Sequence, residues 1–504
     1  MAARVLMIQG TASGVGKSFV ATALCRYFKN QGVKVAPFKA WNMSLNSFVT
    51  SNGLEMAKAQ AVQAQACGIV PSVDMNPVLI KCESKHRMQI ITTGQTVGSM
   101  TAPTYRKYIP KLKSIITQAL DRLRSQYELI ILEGAGSPAE LNLQNIDLAN
   151  ELPAQWAKAQ VILVGDIDRG GVFASLVGTI ELLTSKQKNR ILGLIINKFR
   201  GDIRILKPGI HNLEKRIFKP VLGVLPYLPN LRIPEEDAVS LDYTSRDSKL
   251  RSSIRIAIIR YPHLSNFDEF LPLERMSEVE VKYIQHPREG AGADLVILPG
   301  TKSTVSDLHW IRKQGFEAML RNRIKKHRPI LGICGGYQMM GRVIEDPYHI
   351  ESNQPCVQGL GFLSVSTRFQ KFKKTVQVSA RIQKNSFLTQ GQIGEKINAY
   401  EIHMGQVQVE RPGVSLFKTT MQNQERIQSE EGSTDAQGNI VGTLLHGLFE
   451  NHCICSALIH ELGFLRNPRI RDTQKDMEGV FEQMAYQIDR HLSMNQIRSK
   501  VFEK

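Results

Sequence analysis

Short apolar runs rich in Val, Ile and Leu alternate with longer amphipathic stretches through the first half of the chain. The runs Val5–Gln9, Val33–Pro37, Leu129–Leu132, Val161–Val164 and Ile191–Ile196 read as strands. Lys17–Asn30 and Tyr105–Tyr127 between them read as helices. Strands alternating with helices predict a doubly wound, mostly parallel sheet. Pro226, Tyr227, Leu228 and Pro229 then open a stretch that turns polar and charged from Asp242 to Arg255. That composition is a linker's, and it places a domain boundary near residue 250. A fresh strand, Ile254–Ile259, restarts the pattern. Asp294–Leu298 and Pro329–Ile333 follow as buried strands, each running into a Gly-containing loop. From about Gly359 the periodicity becomes alternating, in Phe362–Thr367, Val376–Ile382 and Gln406–Glu410, which predicts antiparallel strands. The polar tail predicts a helix over Thr473–Ser493. The expected fold class is α/β, in two separate domains.

Composition narrows the class without choosing a function. The chain has 504 residues, 42% apolar and 22% charged, which excludes a disordered, collagenous or coiled-coil chain. Its seven scattered Cys do not form a disulfide framework. The opening residues read as a strand entering a Gly-rich turn rather than as a cleavable signal, and no apolar run approaches the ~20 residues that span a bilayer. These features predict a cytoplasmic protein with no membrane partner. The net charge of +18 raises nucleic acid or acidic small molecules as partners. It is dispersed, however: residues 181–220 hold ten Lys/Arg against three Asp/Glu, and 366–384 hold six against none. No recognition helix, zinc ligand set or single-strand platform accompanies it, so no nucleic-acid partner is expected.

The first chemistry-bearing motif is Gly10-Thr-Ala-Ser-Gly14-Val-Gly16-Lys17-Ser18, between a strand and a helix. Glycines let the backbone curl so that N–H groups converge on a phosphate, and the helix adds its positive end. Gly10, Thr11, Ser13 and Gly16 supply the cradle, Lys17 a charge for β/γ-phosphates, and the Ser18 hydroxyl a Mg²⁺ ligand. Five residues, not the usual four, separate Gly10 from Gly16. Glu133, ending the strand Leu129–Leu132, supplies carboxylate oxygen for the cation, at the strand edge where ligands gather in such sheets. Asp166 and Asp168 end another strand. Either they orient Mg²⁺ or Arg169 meets an anionic substrate; a loop cluster held by its own hydrogen bonds is the alternative. Asn197 is open between reading an adenine edge and capping a helix.

The second is Pro329-Ile-Leu-Gly332-Ile-Cys334-Gly335-Gly336. Flanking glycines let a sharp turn lift the Cys334 sulfur out of the sheet, as in a nucleophile elbow. The amides of Gly335 and of Gly300, after the strand ending at Leu298, are candidate oxyanion donors. A nucleophilic Cys needs a base. His446, read as exposed at a strand end beside Gly447, is preferred over His403. Glu450, four residues on, is the candidate for orienting the imidazole. A nucleotide site and a Cys–His thiol site together fit glutamine-dependent amidation. Cys334 releases ammonia from glutamine, and ATP converts a carboxylate to an acyl phosphate that ammonia displaces.

Lys39-Ala-Trp-Asn-Met-Ser-Leu-Asn-Ser47, Asn76-Pro-Val-Leu-Ile-Lys81, Glu133-Gly-Ala-Gly-Ser-Pro138, Asp166-Ile-Asp-Arg-Gly-Gly-Val-Phe-Ala174, Ile196-Asn-Lys-Phe-Arg-Gly-Asp202, Leu298-Pro-Gly-Thr-Lys302 and Tyr400-Glu-Ile-His-Met-Gly405 resemble the cobyric acid synthase family. The resemblance runs in order from residue 1 to about 460. It implies a dethiobiotin-synthetase-like P-loop domain at 1–230 that binds ATP, Mg²⁺ and corrinoid. A linker at 231–252, a class I glutamine amidotransferase domain at 253–460 and a helical tail at 461–504 would follow. It implies amidation of the b, d, e and g carboxylates of adenosylcobyrinic acid a,c-diamide to give adenosylcobyric acid. Asn42 and Ser44, with Asp166, Asp168 and Arg169, would face the substrate. The segment Lys81–Arg87 departs from the proline and acidic residue that the family pattern carries directly after its Asn-Pro-Val-Leu-Leu-Lys. Two rivals are a cobyrinic acid a,c-diamide synthase, which makes two amidations, and a chromosome-partition-type ATPase switch joined to an inactive amidotransferase domain.

Overall fold

A computed structural model describes residues 3–83, 87–143, 146–228, 231, 233, 254–410, 415–463 and 473–502. Most of the expected linker 231–252, positions 84–86 of the Lys81–Arg87 segment, and residues 464–472 lie outside the described residues.

Six parallel strands form the first sheet, in the order Val221–Pro226, Ile191–Phe199, Gln160–Asp166, Arg4–Gly10, Leu129–Glu133 and Val35–Phe38. Successive side chains of a strand point to opposite faces. Leu6 and Ile8 accordingly meet Val20, Leu24 and Phe28 of the helix Lys17–Asn30 on one face. Val5 and Met7 meet Ile109, Leu112 and Ile116 of the helix Ala102–Gln126 on the other. Both faces are covered, which is the doubly wound arrangement the alternating pattern predicts. The open edge where the strands end carries the Gly-rich loop, Glu133 and Asp166 side by side.

The second sheet begins with parallel strands Val279–Ile284, Ile254–Ile259, Leu295–Leu298, Ile330–Ile333 and Ile440–Thr443. It continues antiparallel through Glu425–Thr434, Ser415–Gln422 and Val365–Ile382, and Lys396–Val409 also pairs with the last of these. The sequence reading differs here. The runs Phe362–Thr367 and Val376–Ile382 were expected as separate strands, but they belong to one strand, Val365–Ile382. Its ladder to Lys396–Val409 slips between Phe369 and Lys374. The polar residues that look like a break are a bulge that leaves Phe372 exposed.

The tail behaves differently from its polar appearance. The helices Thr473–His491 and Met494–Phe502 return to the first sheet, where Phe481, Met484, Ile488 and Ile497 share a core with Leu6, Val20 and Phe28. The buried Arg26 guanidinium sits 2.5 Å from Glu478 and 2.7 Å from Glu482. A small hairpin, Ser47–Val49 with Glu55–Ala57, leaves the first half and enters the second. Val49 packs with Tyr400 and Ile402 there, and the Gln377 amide donates to the Val49 carbonyl.

Candidate active sites

The thiol site is set by one strained residue. Cys334 follows the strand Ile330–Ile333 and precedes the helix Gly335–Met340, with φ 49° and ψ −110°. Positive φ is costly for a residue with a Cβ, and it persists only where surroundings impose it. The Cys334 amide donates to the Thr443 carbonyl at 2.8 Å, tying the elbow to the strand that leads to His446. Gly336 is obligatory: a Cβ there would lie 1.9 Å from the Leu298 carbonyl oxygen. Gly335 opens the following helix, whose first amides have no intrahelical partner. Gly300 lies against the imidazole, its missing Cβ 2.9 Å from His446 Cε1.

His446, expected to stand exposed at a strand end, lies past the strand Ile440–Thr443 and is fully buried, because its ring stacks on Tyr400 with centroids 5.2 Å apart. Its Nδ1 lies 3.1 Å and 3.2 Å from the Glu269 carboxylate oxygens, and the Gly447 amide donates to the same carboxylate at 3.3 Å. On the other side of the ring, Asn266 Nδ2 lies 3.5 Å from Nε2. Burial by itself opposes charge on the imidazole, but the Glu269 carboxylate and the Cys334 sulfur outweigh it and push its pKa up to about 10.

The residue expected to orient the imidazole was Glu450, and the structure replaces it. The Glu450 carboxylate reaches outward and accepts from Lys58 at 3.2 Å. Glu269, 177 residues before the histidine, occupies the orienting position. No local spacing announces it. The available signal is Asn266-Phe-Asp-Glu-Phe270, acidic residues enclosed by aromatics, which predicts buried carboxylates. His403 is the rejected base: its Nε2 lies 2.8 Å from Glu401, which Lys374 also holds at 2.7 Å.

At the other site Gly14 and Gly16 adopt φ of 72° and 102°. A Cβ on Gly16 would stand 2.0 Å from Asn197 Nδ2. Thr11 anchors the loop through its amide to the Val164 carbonyl at 3.0 Å, and Ser13 stands exposed. Lys17 Nζ donates to the carbonyls of Ala12 at 2.8 Å and Gly136 at 3.0 Å. Ser18 Oγ donates to Glu133 Oε1 at 2.7 Å. The buried Glu133 also takes Lys39 at 3.0 Å and Gln63 at 2.5 Å. Burial pulls its pKa up, but Lys39, Ser18 and Gln63 together hold it below the usual carboxylate value. Ser18 and Glu133 are hard oxygen donors on one edge of the loop, and Mg²⁺ takes one or two such protein oxygens beside phosphate. The donor set therefore fits that cation.

The remaining expected residues divide. The Asn197 amide donates to the Val15 carbonyl at 2.9 Å, so it braces the phosphate loop and caps no helix. Lys198 joins the same brace, donating to the Gly14 carbonyl at 2.7 Å and to Asp166 at 2.8 Å. Asp168 accepts from Arg200 at 2.8 Å. Arg169 is half-exposed, and its guanidinium passes beside Gly14 at the mouth of the loop. Asn42 and Ser44 are buried at 1% and 4% exposure. Asn42 reaches Gln60 at 3.4 Å, and the Ser44 hydroxyl accepts from the Asn46 amide at 3.1 Å. They brace the wall beneath the hairpin.

The hairpin and the helix Lys58–Cys67 after it connect the two sites. The Ser47 amide donates to Asn266 Oδ1 at 3.0 Å, and Asn266 is the residue beside His446. Lys58, at the helix start, faces Glu450 and Asp268, while Gln63 on the same helix holds Glu133. A phosphate loop with an attached cation-ligand pair, joined to a Cys–His–carboxylate site, defines a glutamine-hydrolysing amidoligase.

Comparison with known proteins gives the same class. Residues 6–241 match the CobQ/CobB/MinD/ParA nucleotide binding domain, and residues 255–453 match the CobB/CobQ-like glutamine amidotransferase domain. The cobyric acid synthase of Sorangium cellulosum (strain So ce56) is 43% identical over 510 residues, covering 98% of each chain. That of Caldanaerobacter subterraneus subsp. tengcongensis is 42% identical, covering 98% of this chain and 97% of the relative. That of Dehalococcoides mccartyi (strain CBDB1) is 45% identical over 451 residues, covering 89% of each. The chain belongs to the cobyric acid synthase family. No helix among the described residues is long and apolar enough to cross a membrane.

Proposed function

We propose that the chain uses ATP and glutamine to amidate the b, d, e and g carboxylates of adenosylcobyrinic acid a,c-diamide, giving adenosylcobyric acid. The observation that carries this reading is the arrangement of Cys334, His446 and Glu269 in one buried site, bound through the hairpin Ser47–Ala57 to the phosphate loop. Residues 1–230 carry the amidoligase chemistry and 253–460 the glutaminase.

At the glutaminase site the Cys334 thiolate attacks the side-chain amide carbon of glutamine. The oxyanion that forms faces the amides of Gly300 and Gly335. The imidazolium of His446 donates its proton to the departing nitrogen, so ammonia leaves and a thioester remains. Neutral His446 then takes a proton from water, hydroxide attacks the thioester, glutamate departs, and the thiolate–imidazolium pair is restored. Glu269 holds the ring orientation and favours the cation throughout.

At the nucleotide site the backbone of Gly10–Gly16 and Lys17 receive the phosphates. Ser18 and Glu133 would hold Mg²⁺, which when bound offsets charge on the transferring phosphoryl group. A substrate carboxylate oxygen attacks the γ-phosphorus, giving an acyl phosphate and ADP. Ammonia adds to the acyl carbon, phosphate departs, and the amide nitrogen loses its extra proton. Carboxylate is a poor electrophile at neutral pH, which is why the phosphate is needed. Arg169, beside the loop mouth, would meet an anionic carboxylate. Asp166 and Asp168 serve through Lys198 and Arg200.

The deciding experiment is a product mass spectrum after incubating corrinoid carboxylates with the chain, ATP, Mg²⁺ and glutamine. Four successive amidations are expected; a series ending after two on cobyrinic acid would overturn the substrate assignment.

A further inference from the structure

The cavity beside Cys334 carries charge that the acyl-transfer chemistry does not use. Its walls include Lys81 from the nucleotide half, Lys373 from the bulged strand, and Glu351 from a loop of the amidotransferase half. Lys81 and Lys373 share a single carboxylate: Glu55 lies 2.7 Å from the first and 2.5 Å from the second. That group keeps one formal positive charge in excess. Lys302, also in the wall, is matched by Glu83 at 3.0 Å. Glu351 accepts from the Thr304 amide at 2.8 Å and has no lysine or arginine within ion-pair distance among the described residues. It contributes one formal negative charge. The cavity is therefore bipolar, with its excess cation and its excess anion at different places around one thiol.

Burial has the effect expected of two uncompensated charges. It pushes Glu351 up to about 7, with Lys302 opposing and Asp346 adding to the shift. It pulls Lys373 down to about 7 against the attraction of Glu55, with Lys81 and Lys302 adding repulsion. A ligand bringing one carboxylate and one ammonium would relieve both. Glutamine is such a zwitterion, and its side-chain amide must reach Cys334.

We propose that the glutamine backbone is read across the domain boundary, its α-carboxylate by Lys81 and Lys373 and its α-ammonium by Glu351. The inference rests on the glutaminase reading and adds the ligand subsite. A consequence is that the glutaminase pocket is completed by a residue of the nucleotide half. Lys81 sits on the strand Val78–Cys82, and its neighbour Glu55 belongs to the hairpin that inserts beside Asn266. Glutamine binding and the docking of the two halves then depend on the same ion pairs.

The test measures ammonia release by the full chain from glutamine, from glutaramate, which lacks the α-ammonium, and from 4-aminobutanamide, which lacks the α-carboxylate. The unaltered chain is expected to favour glutamine over each analogue by about 10²-fold or more in kcat/KM, because each analogue leaves a buried charge unmatched. Glu351→Gln should lower kcat/KM for glutamine by about tenfold or more while changing glutaramate far less. Lys81→Met should do the same for glutamine against 4-aminobutanamide, and Lys373→Met provides a second probe if the first variant unfolds. Equal hydrolysis of glutamine and either analogue by the unaltered chain overturns the proposal. So does a variant that slows glutamine and its matching analogue in equal proportion. Failure of the glutaminase reading is distinguishable, since ammonia release from glutamine would then survive Cys334→Ala.

Discussion

The two sites handle charge in opposite ways. At the thiol site the charged groups belong to the protein and are buried together: His446 is fully enclosed, with Glu269 on one nitrogen and Asn266 beside the other. At the nucleotide site Ser13 and Gly14 stand exposed, and the Lys17 ammonium rests on backbone carbonyls. The difference follows from where the reacting charge originates. Acyl transfer develops charge inside the pocket, so its partners must be fixed beforehand. A nucleotide brings its own phosphates, so the protein presents an open cradle to them and keeps a buried ion pair, Glu133 with Lys39, beneath it. The cradle is nonetheless braced from below, by Asn197 and Lys198.

This contrast can be broken at the fixed site first. Cys334→Ala is expected to lower glutamine-dependent amidation by about 10⁴-fold or more while added ammonia still supports amidation. Loss of both activities in a folded variant would contradict two separable sites. At the cradle, Lys17→Ala should lower amidation from either nitrogen source by about 10³-fold, because the phosphate charge loses its partner. Ammonia release from glutamine can be followed independently in that variant.

Glu269→Gln tests whether Glu269 or Glu450 orients the base. It should lower glutaminase kcat by about 10²-fold or more, since the amide can hold neither the ring orientation nor the cation as well. The pH profile carries the sign. In the proposed mechanism His446 is protonated when it releases ammonia, and Glu269 is a principal reason its pKa is pushed up to about 10. Removing that negative charge lowers the pKa, so the alkaline limb of kcat/KM should move to lower pH. Glu450→Gln should leave the rate within about twofold and move the limb far less, because its ion pair with Lys58 is half-exposed and Glu269, not Glu450, holds the ring. The smallest effect is expected at the brace. Asn197→Ala removes one buried hydrogen bond and should cost about 1–2 kcal/mol in denaturant unfolding.

Much of this was readable along the chain because it depends on neighbours in sequence. Lys17 begins the helix because Gly16 takes a left-handed φ that the loop requires, and both lie in one short motif. Cys334 was legible for the same reason: its flanking glycines are where a side chain would strike the Leu298 carbonyl or Thr301. The strand Ile254–Ile259 was marked by its own apolar run after a polar linker. The bulged strand Val365–Ile382 was not, since polar residues at a ladder slip look like a break.

What the sequence determined by itself was the local machinery: a parallel α/β sheet, a phosphate loop, a thiol elbow and a histidine just past a strand. These arise from periodicity and from backbone conformations that only certain residues permit. Tertiary structure alone decided which carboxylate meets which partner. Glu269 reaches His446 from 177 residues away, Glu450 turns to Lys58, and Asn197 braces the phosphate loop from a strand 182 residues further on. It also decided that the polar tail helix covers the first sheet and that Lys81 crosses into the glutaminase cavity. Pairing of buried charge depends on distance in space and on exclusion of water, and neither is encoded in spacing along the chain.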